Sequence, residues 1–433
     1  MSRRVVITGL GLVSPLGNSP DKLWAALAAG QSGVAELQSI PADALPTRFG
    51  AEAREFTGAI EDFGPLDKGM SRTIKKNLKV MCREMQFGIA VAQLALSHSG
   101  LSLAAANLDR VGCVYGSDYM LTLPQEFTAG IRACLDERGK FDFRNWAEKG
   151  LPSVEPLWLL KYLPNLPAAH IAIFNDLRGP NNSLTMREAS SNLAVAEAAM
   201  TLKRGHADAI LAGATGTKVH PTRSIHVVTQ EEIATGDGDP TRLSRPFDRQ
   251  RSGAVMGEGA GAMMLEELEH AQVRGATILG EVVGFAASAV SDKLGAGQYR
   301  AAFKNVYSKA LAAAGVRPEY VGHVNAHGLG TRRCDAEEAL AIAEVFGSRR
   351  VPVVAAKSYF GNLGAGSGMV ELFGSLLALQ NGRLFRTLNY ESPDPECPVN
   401  VITDDDTSAG DCFVTANISP QGQASAVVIR KLA

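Results

Sequence analysis

Runs of apolar residues that end in glycine turns recur along this chain and predict buried strands. Residues 5–13 (VVITGLGLV) and 110–118 (RVGCVYGSD) follow this pattern. A helix is predicted from Pro20 to Ala29, where Gly30 stops it. Residues 71–100 predict one long helix with a basic first half and a small, apolar second half. Residues 119–170 lack a clear period and predict an irregular lid or pocket wall.

Residues 175–216 predict a strand, a sharp turn, a helix of small residues and a second strand. The first strand covers 181–186, the turn is Arg187-Glu188, and a helix begins near Ser190 or Ser191. This order directs the turn side chain toward the positive end of a helix.

The second half of the chain repeats the plan. Residues 351–379 again predict a strand, a glycine turn and a small-residue helix, preceded by a weaker strand at 320–328. We therefore expect an α/β fold of two similar halves that face each other, with a site between them. The expected units are 1–268, which contains the sharp turn at 184–190, and 269–433, which contains the turns with His327 and Asn362.

Composition and charge narrow the function classes. The chain has 433 residues, 43 Lys plus Arg and 45 Asp plus Glu, so the formal net charge is −2. This balance argues against nucleic acid as the main partner. Six cysteines without a CxxC pair predict no disulfide framework, no structural zinc and a reducing, cytoplasmic location. Since no apolar run reaches membrane-spanning length, we expect no membrane partner.

Three turns carry side chains that suit chemistry. They are Arg187-Glu188, the strand end 325–328 with His327, and the turn 357–362 with Lys357 and Asn362. A lone histidine at a strand end is more often structural than catalytic. Convergence of the three turns, as expected of equivalent turns in two facing halves, would favour a functional role.

Four separate motifs resemble those of the β-ketoacyl-acyl-carrier-protein synthases, the condensing enzymes of fatty acid and polyketide synthesis. These motifs are RRVVITGLGLVSPLGNS, LPNLPAAHIAIFNDLRGPNNS, LSRPFDRQRSGAVMGEGAGAMMLEELEHAQVRGA and NAHGLGTRRCDAEEALAIAEVFG. The resemblance implies a thiolase-like five-layer αβαβα fold and a dimer. It also implies an acyl carrier protein as partner, with phosphopantetheine supplied on that carrier, no bound cofactor and no metal.

The resemblance also assigns roles to individual residues. His327 matches the family's first catalytic histidine, and Lys357 matches a further charged position of its site. Thr331 is expected to contact substrate, and three acidic residues are expected to support the site from nearby. These three are Asp335, Glu338 and Glu371.

Two departures from the family pattern fall at the centre of the site. Glu188 stands where the family has its nucleophilic cysteine, and Asn362 stands where it has its second histidine. A thiolate at a helix N-terminus attacks a thioester well, whereas a carboxylate would give a reactive anhydride. Asn362 can donate a hydrogen bond but cannot shuttle a proton. We expect an oxyanion-stabilising pair of His327 and Asn362 to persist without the proton-transfer chemistry of condensation.

Three functions stay open. The chain is a non-condensing partner subunit similar to a chain-length factor, forming a homodimer or a heterodimer with an active ketosynthase. Alternatively it is a decarboxylase of malonyl-carrier protein, or a condensing acyltransferase that uses another nucleophile such as Cys113. A plainer interpretation is that Glu188 pairs with Arg187 or another cation and only plugs the old site.

The basic half of the predicted helix 71–100 has two interpretations. It is either a solvated face or, since carrier proteins are acidic, a carrier-docking patch. The resemblance favours docking by four residues, namely Arg72, Lys75, Lys76 and Lys79.

Overall fold

The computed structural model describes residues 3–432. The strands are β1 (Val5–Val13), β2 (Ala35–Glu36), β3 (Phe49–Gly50), β4 (Val111–Ser117), β5 (Asn181–Thr185), β6 (Ala209–Thr217), β7 (Glu258–Glu267), β8 (Gly280–Ala289), β9 (His323–Asn325), β10 (Pro352–Val354), β11 (Asn400–Val401), β12 (Cys412–Ile418) and β13 (Gln423–Arg430).

The helices are α1 (Pro20–Ala29), α2 (Lys68–Asn77), α3 (Arg83–Ser99), α4 (Gln125–Ala133), α5 (Leu166–Asn175), α6 (Ser190–Lys203), α7 (Pro221–Gln230), α8 (Leu268–Val273), α9 (Tyr299–Ala314), α10 (Arg332–Phe346), α11 (Lys357–Phe360) and α12 (Ser367–Asn381). The predicted first helix is confirmed, because α1 ends at Gly30, which adopts a left-handed conformation with φ 68°.

All long strands join in the order β11-β10-β9-β12-β13-β8-β1-β7-β6-β4-β5. The two halves meet through a short contact between β1 and β8, in which Val6 lies opposite Glu281. One half of the sheet thus contains β5, β4, β6, β7 and β1, and the other contains β8 to β13. The boundary at 268/269 itself stays a prediction.

Helix packing gives the five layers that the family resemblance implies. Helix α6 packs on β4 and β6 of one half and on β13 and β8 of the other, so it lies between the sheets together with α12. Helices α3 and α5 cover the outer face of the first half, and α9 covers that of the second, with α10 packed beside α9. The αβαβα expectation is confirmed.

Two glycines of β1 allow α3 to lie directly on the sheet. A Cβ at Gly9 would stand 2.4 Å from the Ala95 carbonyl oxygen, and one at Gly11 would stand 2.1 Å from the Val91 carbonyl oxygen. Neither position therefore accepts a side chain while the helix stays in place. The glycines of the opening segment serve close helix–strand packing.

The prediction of one helix over 71–100 is wrong. The chain forms α2, a 3₁₀ turn at Leu78–Val80 and then α3, with Met81 in an extended conformation between them. In α2 only Ile74 is buried, whereas most of α3 is buried. The break lets α3 enter the core while the basic α2 stays on the surface.

The irregular stretch 119–170 contains more structure than expected. It holds α4, several short 3₁₀ turns and the beginning of α5, and Pro167 lies in the first turn of α5. Within residues 3–432, none of the helices is long and apolar enough to cross a bilayer. The same residues contain no cluster of three or more His, Cys, Asp or Glu side chains arranged to hold a metal ion.

Candidate functional site

The turns that carry Glu188, His327 and Asn362 meet between the two halves. Glu188 follows β5, His327 follows β9, and Asn362 lies between α11 and α12. All three side chains are buried, at 1–2% exposure. The Asn362 Nδ2 donates a hydrogen bond of 3.1 Å to the Glu188 Oε1, which joins the halves directly.

The backbone of the Glu188 turn is tightly fixed. Arg187 has φ 52°, a left-handed conformation that is uncommon for a residue with a side chain. The Ser190 Oγ accepts from the Met186 N–H at 2.8 Å and donates to the Ser117 carbonyl at 2.9 Å. Ser190 thus braces the turn from the first residue of α6, and Ala189 takes the N-cap position without a side-chain cap.

Glu188 is held as a carboxylate by two cations. The Lys218 Nζ lies 2.9 Å from the Glu188 Oε1, and the Arg187 Nε lies 3.7 Å from its Oε2. Burial alone would raise the pKa of Glu188, but Lys218 and then Arg187 outweigh burial and hold this pKa well below its ordinary value. The N-terminus of α6 favours the same charge.

Lys218 and Glu231 belong to the site, although sequence reasoning did not identify them. The Lys218 Nζ also contacts both Glu231 carboxylate oxygens at 2.7 and 2.8 Å, and Arg187 donates to the Glu231 Oε1 at 2.5 Å. Lys218 follows β6 directly, and β6 and β5 both run parallel to β4. Since parallel strands end at the same edge, a lysine after β6 was a signal for proximity to the Glu188 turn.

A second set of buried charges continues from Arg187. Its Nε lies 3.8 Å from an Asp118 oxygen, and Asp118 pairs in turn with Arg223. Arg223 also contacts the Glu84 Oε1 at 3.3 Å. Burial raises the pKa of Asp118, and it raises the pKa of Glu84 to about 7.

We call these seven side chains the buried ion network. Its members are Glu84, Asp118, Arg187, Glu188, Lys218, Arg223 and Glu231.

His327 is a neutral imidazole whose tautomer follows from its neighbours. The Lys357 Nζ and the Asn417 Nδ2 each lie 3.3 Å from the His327 Nδ1. Both neighbours are donors, so Nδ1 accepts and the proton sits on Nε2. Burial, and then the Lys357 ammonium, lower the pKa of His327 well below its ordinary value. His327 is therefore a hydrogen-bond donor at neutral pH.

Lys357 and Glu371 form an ion pair beneath His327. The Lys357 Nζ also donates to the His327 carbonyl at 2.9 Å, and the Asn417 Nδ2 donates to the Glu371 Oε2 at 2.7 Å. Burial raises the pKa of Glu371. Lys357, Glu371 and Asn417 thus fix the imidazole from below.

Two further predicted acids hold the backbone of the His327 turn. Glu338 accepts from the His327 and Gly328 N–H groups at 2.7 and 2.9 Å. Asp335 accepts from the Leu329 N–H at 2.9 Å. Burial raises the pKa of Glu338 to about 7 and that of Asp335 to about 6. Both carboxyl groups act on the turn rather than on a ligand.

Asn362 is fixed at both ends of its amide. Its Oδ1 accepts from the Gly364 N–H at 3.0 Å and from the Ser367 Oγ at 3.2 Å, while its Nδ2 donates to Glu188. This pattern orients the amide and commits one N–H to Glu188. Glu188 therefore competes for the donor that an oxyanion would need.

A cavity of about 200 Å³, the first cavity, opens beside Glu188 and His327. Thr331 also lines it, as do two more carboxylates, Glu231 and Glu232, and one cation, Arg333. The lining is thus net acidic. Lys218 and Arg187 pair with Glu188 and Glu231 from behind the lining and offset part of this negative charge.

The cysteines offer no activated thiol at the site. Cys113 lies in β4 with 1% exposure and does not line the first cavity, and burial raises the pKa of this thiol to about 12. Cys334 does line the cavity, but burial and the neighbouring Asp335 raise its pKa well above the ordinary value. Neither sulfur is a thiolate at neutral pH.

The four predicted docking residues lie on α2 and the following turn. Arg72, Lys75, Lys76 and Lys79 are all exposed, and within residues 3–432 none has an ion-pair partner. Lys79 also lines a second cavity of about 310 Å³, which shares no lining residue with the first. The basic patch therefore adjoins the second cavity.

Two protein-family models match this chain. Residues 2–271 match the model described as "Beta-ketoacyl synthase, N-terminal domain", and residues 279–391 match "Beta-ketoacyl synthase, C-terminal domain". The chain is 32% identical over 405 residues to a 3-oxoacyl-[acyl-carrier-protein] synthase 2 of Coxiella burnetii, covering 92% of this chain and 91% of that protein.

Solved structures agree with these sequence matches. A beta-ketoacyl synthase from Burkholderia phymatum superposes with a TM-score of 0.85 at 28% identity, with both chains covered completely. The ishigamide ketosynthase/chain length factor superposes with a TM-score of 0.84 at 24% identity, again over both whole chains, which shows the fold. Together, the two matched domains and the full-length relative establish that the chain belongs to the β-ketoacyl synthase family.

Proposed function

We propose that the chain is a non-condensing member of this family that serves as the partner subunit of an active ketosynthase, as a chain-length factor does. The observation that carries the proposal is the Glu188 carboxylate at the turn facing His327 and Asn362, held by Lys218 at 2.9 Å. The family resemblance assigns this turn to the nucleophile.

The chemistry of Glu188 supports the absence of condensation. A thioester intermediate requires a sulfur nucleophile, and attack by a carboxylate would give an anhydride that water or the carrier thiol reverses. Against the effect of burial, Lys218 and Arg187 hold the pKa of Glu188 well below its ordinary value, which weakens the carboxylate as a nucleophile and as a base. Neither Cys113 nor Cys334 replaces it, because burial keeps both thiols protonated.

An unpartnered surface supports the second subunit. Strand β5 is the edge of the sheet, and much of it is exposed. Ten of the fifteen large hydrophobic side chains that are exposed within residues 3–432 lie in the segment 123–173, which leads to β5. We call these ten the apolar face: Leu123, Ile131, Leu135, Phe141, Phe143, Leu151, Leu157, Leu159, Leu160 and Ile173. A chain of the same fold would cover such a surface.

The proposed carrier partner is an acyl carrier protein that docks on the basic patch of α2. It brings phosphopantetheine as its own prosthetic group, so the chain needs no cofactor of its own. The free charges of Arg72, Lys75, Lys76 and Lys79 support this role, since exposed, unpaired cations attract an acidic protein.

The alternative of malonyl decarboxylation gains no support from the charges of the first cavity. Glu188, Glu231 and Glu232 line it, and only Arg333 balances them among the lining residues. A malonyl carboxylate would meet like charge, and Asn362 already donates to Glu188.

Co-expression tests the partnership. The chain is expressed with an active ketosynthase from the same organism, and the tagged chain is purified and sized by light scattering. We expect a one-to-one complex that makes elongated β-keto products, whereas either chain alone makes fewer or none.

A matched pair of variants locates the interface. F143E, in the apolar face, should disrupt the complex, and L294E, at a position that is even more exposed (94% against 73%) but outside that face, should not. A chain that forms only homodimers with every ketosynthase tested would contradict the proposal.

A further inference from the structure

The buried ion network lies between the two cavities. Glu188 and Glu231 line the first cavity, and Glu84 lines the second. The three cations of the network line neither cavity, and ion pairs connect them to the acids on both sides. The network is therefore the material that separates the cavities.

One connection runs through Lys218 alone. Its chain neighbours Thr217 and Val219 line the second cavity, while its Nζ lies 2.9 Å from the Glu188 Oε1 and 2.7 Å from the Glu231 Oε1 at the first. The lysine side chain thus extends from the wall of one cavity to the wall of the other, and it is only 1% exposed.

The other connection runs from Glu84 through three side chains. Glu84 contacts Arg223, Arg223 pairs with Asp118, and Asp118 lies 3.8 Å from the Arg187 Nε. Arg187 then donates to Glu231 at the first cavity. Each step of this path is a contact between two side chains.

The barrier between the cavities consists of charged side chains, which is unusual for a segment of the protein interior that only fills space. Burying charges is costly, and well-packed apolar side chains of the same volume are often at least as stable. Three buried polar atoms of the network also lack a hydrogen bond, namely the Arg187 Nε, the Glu188 Oε2 and the Arg223 Nε. An ionic barrier does disfavour a hydrocarbon chain, because an apolar ligand that separated the ion pairs would leave the buried charges without partners.

We propose that the buried ion network is a partition that divides one potential cavity into two and excludes acyl chains from the interior of this subunit. The proposal rests on the proposed function only in taking an acyl chain as the excluded ligand. The side chains that determine the exclusion are Asp118 and Arg223 on one connection and Lys218 on the other.

Binding of a fluorescent fatty acid, 11-(dansylamino)undecanoic acid, to the purified chain tests the partition. The wild type should show no saturable binding. D118A/R223A removes opposite charges together and opens one connection, so it should bind the probe at least ten times more tightly than the wild type. K218A/E231A opens the other connection independently and should act in the same direction.

Control variants distinguish the opening of a connection between the two cavities from a general loss of packing. R274A/E266A removes another largely buried ion pair, whose residues line neither cavity, and should leave probe binding unchanged. Adding L121W, which fills the second cavity, to D118A/R223A should abolish the gain. Thermal unfolding identifies which variants are folded.

Two results would overturn the partition. One is saturable, tight probe binding by the wild type, and the other is a folded opening variant without any gain. Since the assay contains neither carrier nor ketosynthase, its failure is distinguishable from failure of the partner-subunit proposal, which the complex-formation experiment decides.

Discussion

Glu188 is the residue on which the chemistry depends, and its surroundings define what a cysteine would do in its place. Lys218 lies 2.9 Å from the carboxylate, and α6 begins two residues later. A cation and a helix N-terminus both stabilise a thiolate. The site therefore retains the electrostatics for a nucleophile although it has lost the sulfur.

The variant E188C tests this directly. We expect its thiol to titrate at a pKa of about 7.5 or lower, against about 8.5 for a free cysteine, because Lys218 and the helix favour the thiolate. The pH dependence of iodoacetamide alkylation, followed by intact mass, gives this pKa. The matched variant E188C/K218M should titrate closer to the ordinary value, and equal pKa values in both would contradict the role of Lys218.

Lys218 should also be important for stability. K218M leaves Glu188 and Glu231 buried with one cation fewer, and breaking a buried ion pair in this way costs about 3–5 kcal/mol of unfolding free energy. Urea denaturation of both proteins measures the loss. K218M/E188Q, which removes the opposite charge as well, should recover part of the stability, and additive losses would argue against the coupling.

Glu84 should give the protein a pH dependence of a defined sign. Burial raises the pKa of Glu84 from 4.5 to about 7. Between pH 4.5 and 7, the folded protein therefore keeps a proton on Glu84 that the unfolded protein has lost. The contribution of this protonation to the free energy of unfolding is complete below pH 4.5 and is lost as the pH rises through 7. The unfolding free energy of E84Q minus that of the wild type should therefore be larger at pH 8 than at pH 5. Urea denaturation of both proteins at both pH values measures this difference. An unchanged difference between the two proteins would contradict the shift.

At the scale of elements, the pattern of apolar runs and glycine turns predicted β1, β4, β6 and the Glu188 turn with its following helix. The break between α2 and α3 was not predictable in the same way, because Val80 to Arg83 contains neither glycine nor proline. The break arises from tertiary packing, which buries Met81 and anchors Arg83 on Glu258 at 2.7 Å. Propensity alone favours a continuous helix there.

Helix α2 carries the prediction about the carrier protein. K75E/K76E reverses two exposed charges without touching the core, and it should weaken binding of an acyl carrier protein at least tenfold at low salt. The effect should shrink as salt screens the charges. Titration calorimetry at two salt concentrations measures both. K293E/K309E, which reverses two exposed lysines elsewhere, should bind the carrier protein normally. An equal loss of binding in both double variants would indicate that α2 is only a solvated surface.

For the whole molecule, the repeated strand–turn–helix plan predicted two facing halves, and three of the candidate turns do meet between them. Most of the buried ion network was not predictable, because, apart from the adjacent Arg187 and Glu188 and the Lys218 that follows β6, its members come from distant parts of the chain. Arg187 and Glu231 are 44 positions apart, and Arg223 and Asp118 are 105 apart. No local pattern couples such residues, so only the assembled fold brings them together.

The account as a whole depends on the chain being unable to hold an acyl thioester. Incubating it with an active ketosynthase and an acyl-carrier-protein thioester, followed by intact mass of both subunits, measures this most directly. We predict that the ketosynthase gains the mass of the acyl group while this chain keeps its own mass. A stable acyl adduct on this chain, formed together with release of elongated product, would contradict the account.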